Sequence, residues 1–423
     1  MTPGSTPSLP RLLAIMGSGE TSPTMVKTHR ALLDRLGPPP VPAVLLDTPF
    51  GFQMNADDIS ARAVAYFRDS VGQEMEITSF RSGDAASLDL ERAAARVRAA
   101  RYVFAGPGSP SYALRQWSGS PLPAALEDKL TGGGCVTFAS AAALTLGAFT
   151  VPVYEIYKVG ETPRWLDGLD LASAAGLHVA VVPHYDNAEG GNHDTRYCYL
   201  GEERLRLLEA DLPGDAFVLG VDEHTGCLLD LDSGSATVVG RGGVTVRKDG
   251  HSTRLEAGTE VAIAELRRLA SDDRGAAAPR RSPSAAEPVT PAAASPLLET
   301  VARAEDAFAT AVDKRDMRAA VEAILELDEQ LVAWAADTLQ SDEMDRARST
   351  LRSMVVRLGE VAEVGARDPE ELVGPFVEAI LEARRDARDQ QRWADADALR
   401  DRLVALGVEI HDAPSATTWN LRQ

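Results

Sequence analysis

From Leu12 to about Leu269 the chain repeats one pattern: a short aliphatic or β-branched run, then a stretch with apolar residues at helical spacing. LLAIM (12–16), VPAVLLDT (41–48), EMEITSF (74–80), RYVFAG (101–106), GCVTFAS (134–140) and LHVAVVPH (177–184) read as buried strands. The stretches 58–70, 88–99, 110–117 and 122–131 between them read as helices. Buried strands alternating with helices predict an α/β domain whose mostly parallel sheet is sandwiched by helices. The later segments FVLGVDE, GCLLDLD, SATVVGRG, VTVRKDG and HSTRLEAG are short runs broken by Gly or Asp turns, expected as antiparallel additions at the end of that sheet.

The pattern then stops. Residues 271–295 are Ala, Pro, Ser and charges without periodicity, which reads as a linker. Beyond it, segments such as LLETVARAEDAFATAV and PEELVGPFVEAILEARRDARDQ place apolar residues at i, i+3, i+4 and i+7, predicting an all-α helical bundle over 296–423. The expected organisation is a disordered tail at 1–10, an α/β domain at 11–270, the linker and the bundle, and 423 residues suit two cores. No apolar run reaches the ~18 residues a membrane span needs. The N-terminus lacks secretory-signal features, and Cys135, Cys198 and Cys227 cannot all pair and are misspaced for zinc. A reducing, cytoplasmic setting is therefore expected, with no metal and no cofactor. The formal net charge of −20 disfavours nucleic acid as a partner.

Four places in the α/β part can carry chemistry. Gly17-Ser18-Gly19-Glu20 is a strand-to-helix turn able to hold an anion, or simply a tight connection. In Gly106-Pro107-Gly108-Ser109 the glycines let backbone N–H groups approach a ligand. In Phe138-Ala139-Ser140-Ala141-Ala142 a strand meets a helix at a serine, which either exposes its hydroxyl or merely caps the helix. Val182-Pro183-His184 ends a strand where α/β sheets bind ligands, and His193, Asp194 and Arg196 follow.

Taken together, the order Gly-rich turn, strand–Ser–helix, strand–Pro–His and Gly220-Val221-Asp222-Glu223 resembles the cyanophycinase/dipeptidase E family of serine peptidases, over residues 11–258. The resemblance implies a class I glutamine amidotransferase-like fold. It also implies Ser140 as nucleophile, His184 as general base and Glu223 as the group orienting that base. Gly108 and Ala141 would then receive the oxyanion, and Gly19, Glu20 and His193 would lie about the substrate. On charge and position, Arg196 is a candidate for an acidic substrate group, the alternative being a surface ion pair. Where the family motif has Gly two residues before and after the serine, this chain has Phe138 and Ala142. The expected activity is hydrolysis of a small peptide or amide with an acidic group. The alternative is a degraded, ligand-binding or regulatory relative.

Residues 378–419, with Trp393, Ala396, Asp397, Arg400, Asp401, Gly407, Asp412, Pro414, Thr417, Thr418 and Trp419, resemble the end of cysteinyl-tRNA synthetase. No H-I-G-H or K-M-S-K-S signature accompanies them, so aminoacylation is not expected. That leaves a tRNA-associated factor as a third reading. Acidic residues outnumber basic ones over 296–423, and Arg384, Arg385, Arg388 and Arg392 are interleaved with Glu382, Asp386 and Asp389. A structural or protein-binding role is therefore preferred to RNA, and Trp334, Trp393 and Trp419 are expected as core and tail-packing residues. A homo-oligomer is also allowed.

Overall fold

The computed structural model describes residues 9–83, 85–188, 193–271, 295–335, 343–365, 369–413 and 416–422. Most of the expected tail and linker lies outside these residues. The chain divides into two compact units, taken here in turn.

The first unit holds fourteen strands among its described residues: β1 (Arg11–Met16), β2 (Ala43–Leu46), β3 (Glu76–Thr78), β4 (Tyr102–Ala105), β5 (Gly134–Ala139), β6 (Phe149–Thr150), β7 (Leu166–Asp167), β8 (Val179–Val182), β9 (Phe217–Val221), β10 (Thr225–Asp230), β11 (Ser235–Gly240), β12 (Gly243–Lys248), β13 (His251–Glu256) and β14 (Glu260–Ala262). Its helices are α1 (Val26–Arg35), α2 (Ala56–Tyr66), α3 (Ser87–Ala99), α4 (Pro110–Trp117), α5 (Leu122–Gly132), α6 (Ser140–Leu144), α7 (Gly201–Ala210) and α8 (Ile263–Ala270).

The larger sheet has the order β14-β11-β10-β1-β5-β4-β2-β3. The β1–β5–β4–β2–β3 stretch is parallel, and β10, β11 and β14 extend it antiparallel. Side chains alternate across its strands. Leu13, Ile15, Val136 and Phe138 pack on one face with α3, α4 and α5. Leu12, Ala14, Met16, Cys135 and Ala139 pack on the other with α1 and α2.

The expectation of one continuous sheet needs correction. The run at 177–184 joins a second sheet, ordered β13-β12-β9-β8-β6-β7, in which β6, β8 and β9 run parallel. An apolar run carries no mark of the sheet it will join, because both environments bury both of its faces.

The second unit contains α9 (Pro296–Asp313), most of α10 (Met317–Trp334), α11 (Glu343–Val364), α12 (Pro369–Asp389) and α13 (Trp393–Ala405). Helix α9 starts at Ser295, whose hydroxyl accepts the Leu298 N–H, with Pro296 in the first turn. Its buried stripe is Leu297, Val301, Ala304, Phe308 and Ala311. The helical region closes on an antiparallel hairpin, β15 (Val408–Ala413) and β16 (Ala416–Leu421), which helical periodicity does not signal. Val377, Leu381, Leu403 and Val408 form its core, with Trp419 packed against them. Arg384 is buried and gripped by Asp412 through bonds of 2.9 and 2.7 Å, which removes it from the basic stripe. Trp393, expected in the core, is 57% exposed.

Candidate active site

Strand β5 ends at Ala139, and Ser140 turns sharply with φ 50°, a left-handed conformation that costs a non-glycine residue about 1–3 kcal/mol. Its hydroxyl does not cap the helix that follows. It lies 3.0 Å from His184 Nε2. His184, just past β8, is also left-handed at φ 47°. Its Nδ1 is 2.8 Å from Glu223 Oε1. The order Ser140–His184–Glu223 is thus an unbroken hydrogen-bonded chain.

Phe138 does not obstruct the turn. Strand alternation aims it into the core, where its ring stacks 5.6 Å from Trp117, while Ala139 and Ala141 flank the serine. Ala142 is likewise buried, and its N–H donates to the Gly106 carbonyl at 3.1 Å, tying the turn to the neighbouring loop.

The protonation pattern follows from the geometry. Burial opposes ionisation of Glu223, but the hydrogen bonds from His184 and Asn187 outweigh it and hold the carboxyl below its ordinary range. An ionised carboxylate only accepts, so His184 Nδ1 carries the proton and donates it. Nε2 then offers its lone pair to the Ser140 hydroxyl, as a general base must. Asn187 Nδ2 donates to the same Glu223 oxygen at 3.1 Å, and Asp186 Oδ1 accepts the Glu223 N–H at 2.7 Å. Asp222, fully buried, is paired with Arg254 at 2.6 Å. Burial raises its pKa, with the nearby Asp186 charge adding to the effect. Asn187 and the Asp186–Asp222 pair carry no motif that marks them. Their signal was position, flanking His184 and Glu223.

Ser140 and His184 open into a cavity of about 480 Å³, also lined by Gly19, Glu20, Gly108 and Ala141. Gly108 has φ 138°, and a Cβ there would stand 2.0 Å from the Pro49 carbonyl oxygen, so only glycine fits this approach to the cavity. Ala141 sits in the first turn of α6, where amides have no intrahelical acceptor. A Cβ on Gly19 would strike the His224 ring at 2.1 Å. Across the cavity, Tyr197, Cys198 and Tyr199 are three consecutive left-handed residues. They are anchored by Tyr197 N–H to Tyr185 O at 2.9 Å and Cys198 N–H to His184 O at 3.0 Å. This places the Tyr199 ring 6.4 Å from His184 and 5.1 Å from Tyr157. Cys198 is no rival nucleophile, because burial pushes its thiol up to about 12, as it does for Cys135.

Two candidates do not join the site. Arg196 does not line the cavity. Its guanidinium is clasped by Asp194, two residues upstream, through two 2.9 Å bonds, which is the ion-pair alternative. His193 is exposed and also outside the lining. Among the described residues, the cations that line the cavity are Arg62 and Lys158, which no motif marks. Among the described residues no helix is long and apolar enough to cross a membrane.

A crystal structure of a peptidase from an acI-B1 Actinobacterium is similar at 20% identity and TM-score 0.49, covering 60% of this chain and 98% of that one. The cysteine–tRNA ligase of Arthrobacter sp. (strain FB24) is 34% identical over 142 residues, 32% of this chain and 28% of the ligase. That of Fusobacterium nucleatum is 49% identical over 46 residues, 11% and 10% of the two chains. The chain thus spans about a quarter or less of these curated relatives. Residues 373–419 match the family described as the cysteinyl-tRNA ligase anticodon binding domain.

Proposed function

We propose that the first unit is a serine-type hydrolase of small peptides or amides bearing an acidic group. The observation carrying this reading is the chain of 3.0 and 2.8 Å contacts from Ser140 through His184 to Glu223, opening into one cavity. Ser140 Oγ attacks the substrate carbonyl carbon as His184 Nε2 takes the hydroxyl proton. The carbonyl oxygen becomes an oxyanion facing the Gly108 and Ala141 amides. Collapse breaks the C–N bond, and His184 returns the proton to the departing amine. Water, deprotonated by the same imidazole, then releases the acid and restores Ser140. Arg62 and Lys158, which line the cavity where Arg196 does not, are the cations assigned to the substrate's carboxylate. Labelling with a fluorophosphonate tests the reading: the wild type is modified and Ser140→Ala is not. Equal labelling of both defeats it.

The match over residues 373–419 favours a second role, association with tRNA through the other unit. Against it, Arg384 is spent on Asp412 and Arg392 on Asp395. Retention of tRNA on filters at low salt would support this role, and absence of retention would end it.

A further inference from the structure

On the link between β9 and β10 the hydrogen bonding of Asp222 does not close. The residue is fully buried. Its Oδ2 accepts the Gly243 N–H at 2.8 Å and lies 2.6 Å from an Arg254 nitrogen. Its Oδ1, buried as well, has no hydrogen-bond partner among the described residues. Such orphaned acceptors are rare enough in native proteins to need a reason. The group that faces this carboxyl is another one, Asp186, on the turn after β8. Asp186 Oδ1 in turn accepts the Glu223 N–H at 2.7 Å. Two facing carboxylates repel, and a single proton between them replaces the repulsion with a hydrogen bond. Asp186 is exposed and Asp222 is not, so the buried group takes the proton. Burial and the Asp186 charge push the Asp222 carboxyl up to about 7, against the opposing pull of the Gly243 N–H and Arg254.

We propose that Asp222 is a positioning residue of the triad: it is held protonated, and its Oδ1–H donates to Asp186, steadying the carboxylate that grips Glu223. This rests on the hydrolase reading of the site. The backbone around Asp222 has little freedom. A Cβ on Gly17 would stand 1.9 Å from the Asp222 carbonyl oxygen, and the Asp222 N–H donates to Gly243 O at 3.1 Å. What can change is the proton. The other charged and titratable groups around the link are Arg254 with its partner Glu256 on β13, Arg241 in the turn before β12, and Glu223 and His224 on the link itself. The arginines stay cationic, and Glu223 is held ionised by its hydrogen bonds from His184 and Asn187. Burial pushes His224 down to about 4, so its ring is neutral. As pH rises through about 7, Asp222 therefore loses its proton while these neighbours keep their charges. Two like charges then face each other beside Glu223, and the grip on the Glu223 turn loosens.

The test is the pH profile of fluorophosphonate labelling in the full-length protein. A group with a pKa of about 7 keeps its proton in only about 1% of molecules at pH 9, so the wild-type rate should fall at least tenfold between pH 7 and pH 9. In Asp222→Asn the amide donates to Asp186 at every pH, and the fall should shrink below twofold. Should that variant not fold, Arg254→Gln makes the same test at a side chain that is 42% exposed. It removes the cation that opposes protonation, so the fall should move to higher pH. No fall in the wild type, an equal fall in Asp222→Asn, or an unmoved one in Arg254→Gln overturns the proposal. Infrared difference spectra read the proton without chemistry at Ser140. The C=O band of a protonated carboxyl should be present at pH 6, lost by pH 9 and missing from Asp222→Asn; a wild type without it at pH 6 also overturns the proposal. Failure of the hydrolase reading registers separately, as protein that keeps this band but is labelled at no pH.

Discussion

Replacing Glu223 should separate two jobs that one carboxylate performs, holding the His184 tautomer and stabilising the imidazolium. In Glu223→Gln the tautomer should persist. Asn187 donates to the Oε1 position at 3.1 Å, so the amide turns its oxygen, not its nitrogen, toward His184 and still accepts from Nδ1. What is lost is charge. A unit charge 2.8 Å from the ring nitrogen is worth about 6 kcal/mol at an effective dielectric of about 20. The side chains of His184 and Glu223 are 12% and 23% exposed, so about half of that is the better figure. About 3 kcal/mol corresponds to labelling slowed roughly 150-fold. Glu223→Ala loses the acceptor too, and the fall should approach about 10⁴-fold, the cost of a wrong tautomer in a triad. In Asn187→Ala/Glu223→Gln nothing selects the amide orientation, and the rate should drop to within a few-fold of Glu223→Ala. The assay is the pseudo-first-order rate of fluorophosphonate labelling, which needs no knowledge of the substrate. Equal slowing in Glu223→Gln and Glu223→Ala, with Asn187 intact, would refute the separation. An unaffected rate in all three would remove Glu223 from the mechanism.

Two further expectations concern stability. Phe138→Ala should cost the first unit about 3–5 kcal/mol, as for other large-to-small core changes, without faster labelling; acceleration would mean that the phenylalanine does hinder the turn after all. His29 is fully buried, and burial pushes its pKa down to about 4. Its Nε2 donates to the Glu20 carbonyl and its Nδ1 accepts from Tyr102, a neutral pattern. The folded pKa lies below the unfolded value of about 6.5, so this contribution is fully present above pH ~6.5 and is lost as pH falls toward 4, by about 2 kcal/mol at pH 5. Denaturant melts at pH 7 and pH 5 should show this loss in the wild type and a smaller one in His29→Gln.

The sequence told most where local chemistry decides the structure. The runs at 12–16, 101–106 and 134–140 became strands because aliphatic residues fill both faces, and Ser140 was legible as the break between strand and helix. Counting positions from Ser140 did not tell which face Phe138 takes. Strand alternation decides it, and the ring points away from the turn into the core. Arg196 was read from its charge, while Asp194, two residues away, already occupied it. Arg62 and Lys158 reach the cavity from segments far apart in the chain and look like any other surface cation. The hairpin at 408–421 was hidden because its alternation of Val408, Ile410, Thr417 and Trp419 is brief and follows five helices.

Division of the strands into two sheets is also what makes the triad. Ser140 follows β5 of the larger sheet, His184 follows β8 of the smaller, and Glu223 lies on the short link where the chain leaves β9 and enters β10. The spacing of the three residues in such an arrangement depends on how one sheet is held against the other. That link is fastened on every side. Tyr185 N–H donates to Val221 O at 3.1 Å, Asp222 N–H to Gly243 O at 3.1 Å, and Gly17 N–H to Thr225 O at 2.9 Å. Asp222 Oδ2 accepts the Gly243 N–H at 2.8 Å from within the core. A strained serine and a strained histidine, each at positive φ, keep their conformations only if the surrounding frame fixes both ends. Here the frame is the junction itself, so the same hydrogen bonds that join the sheets also set the Ser140–His184–Glu223 spacing.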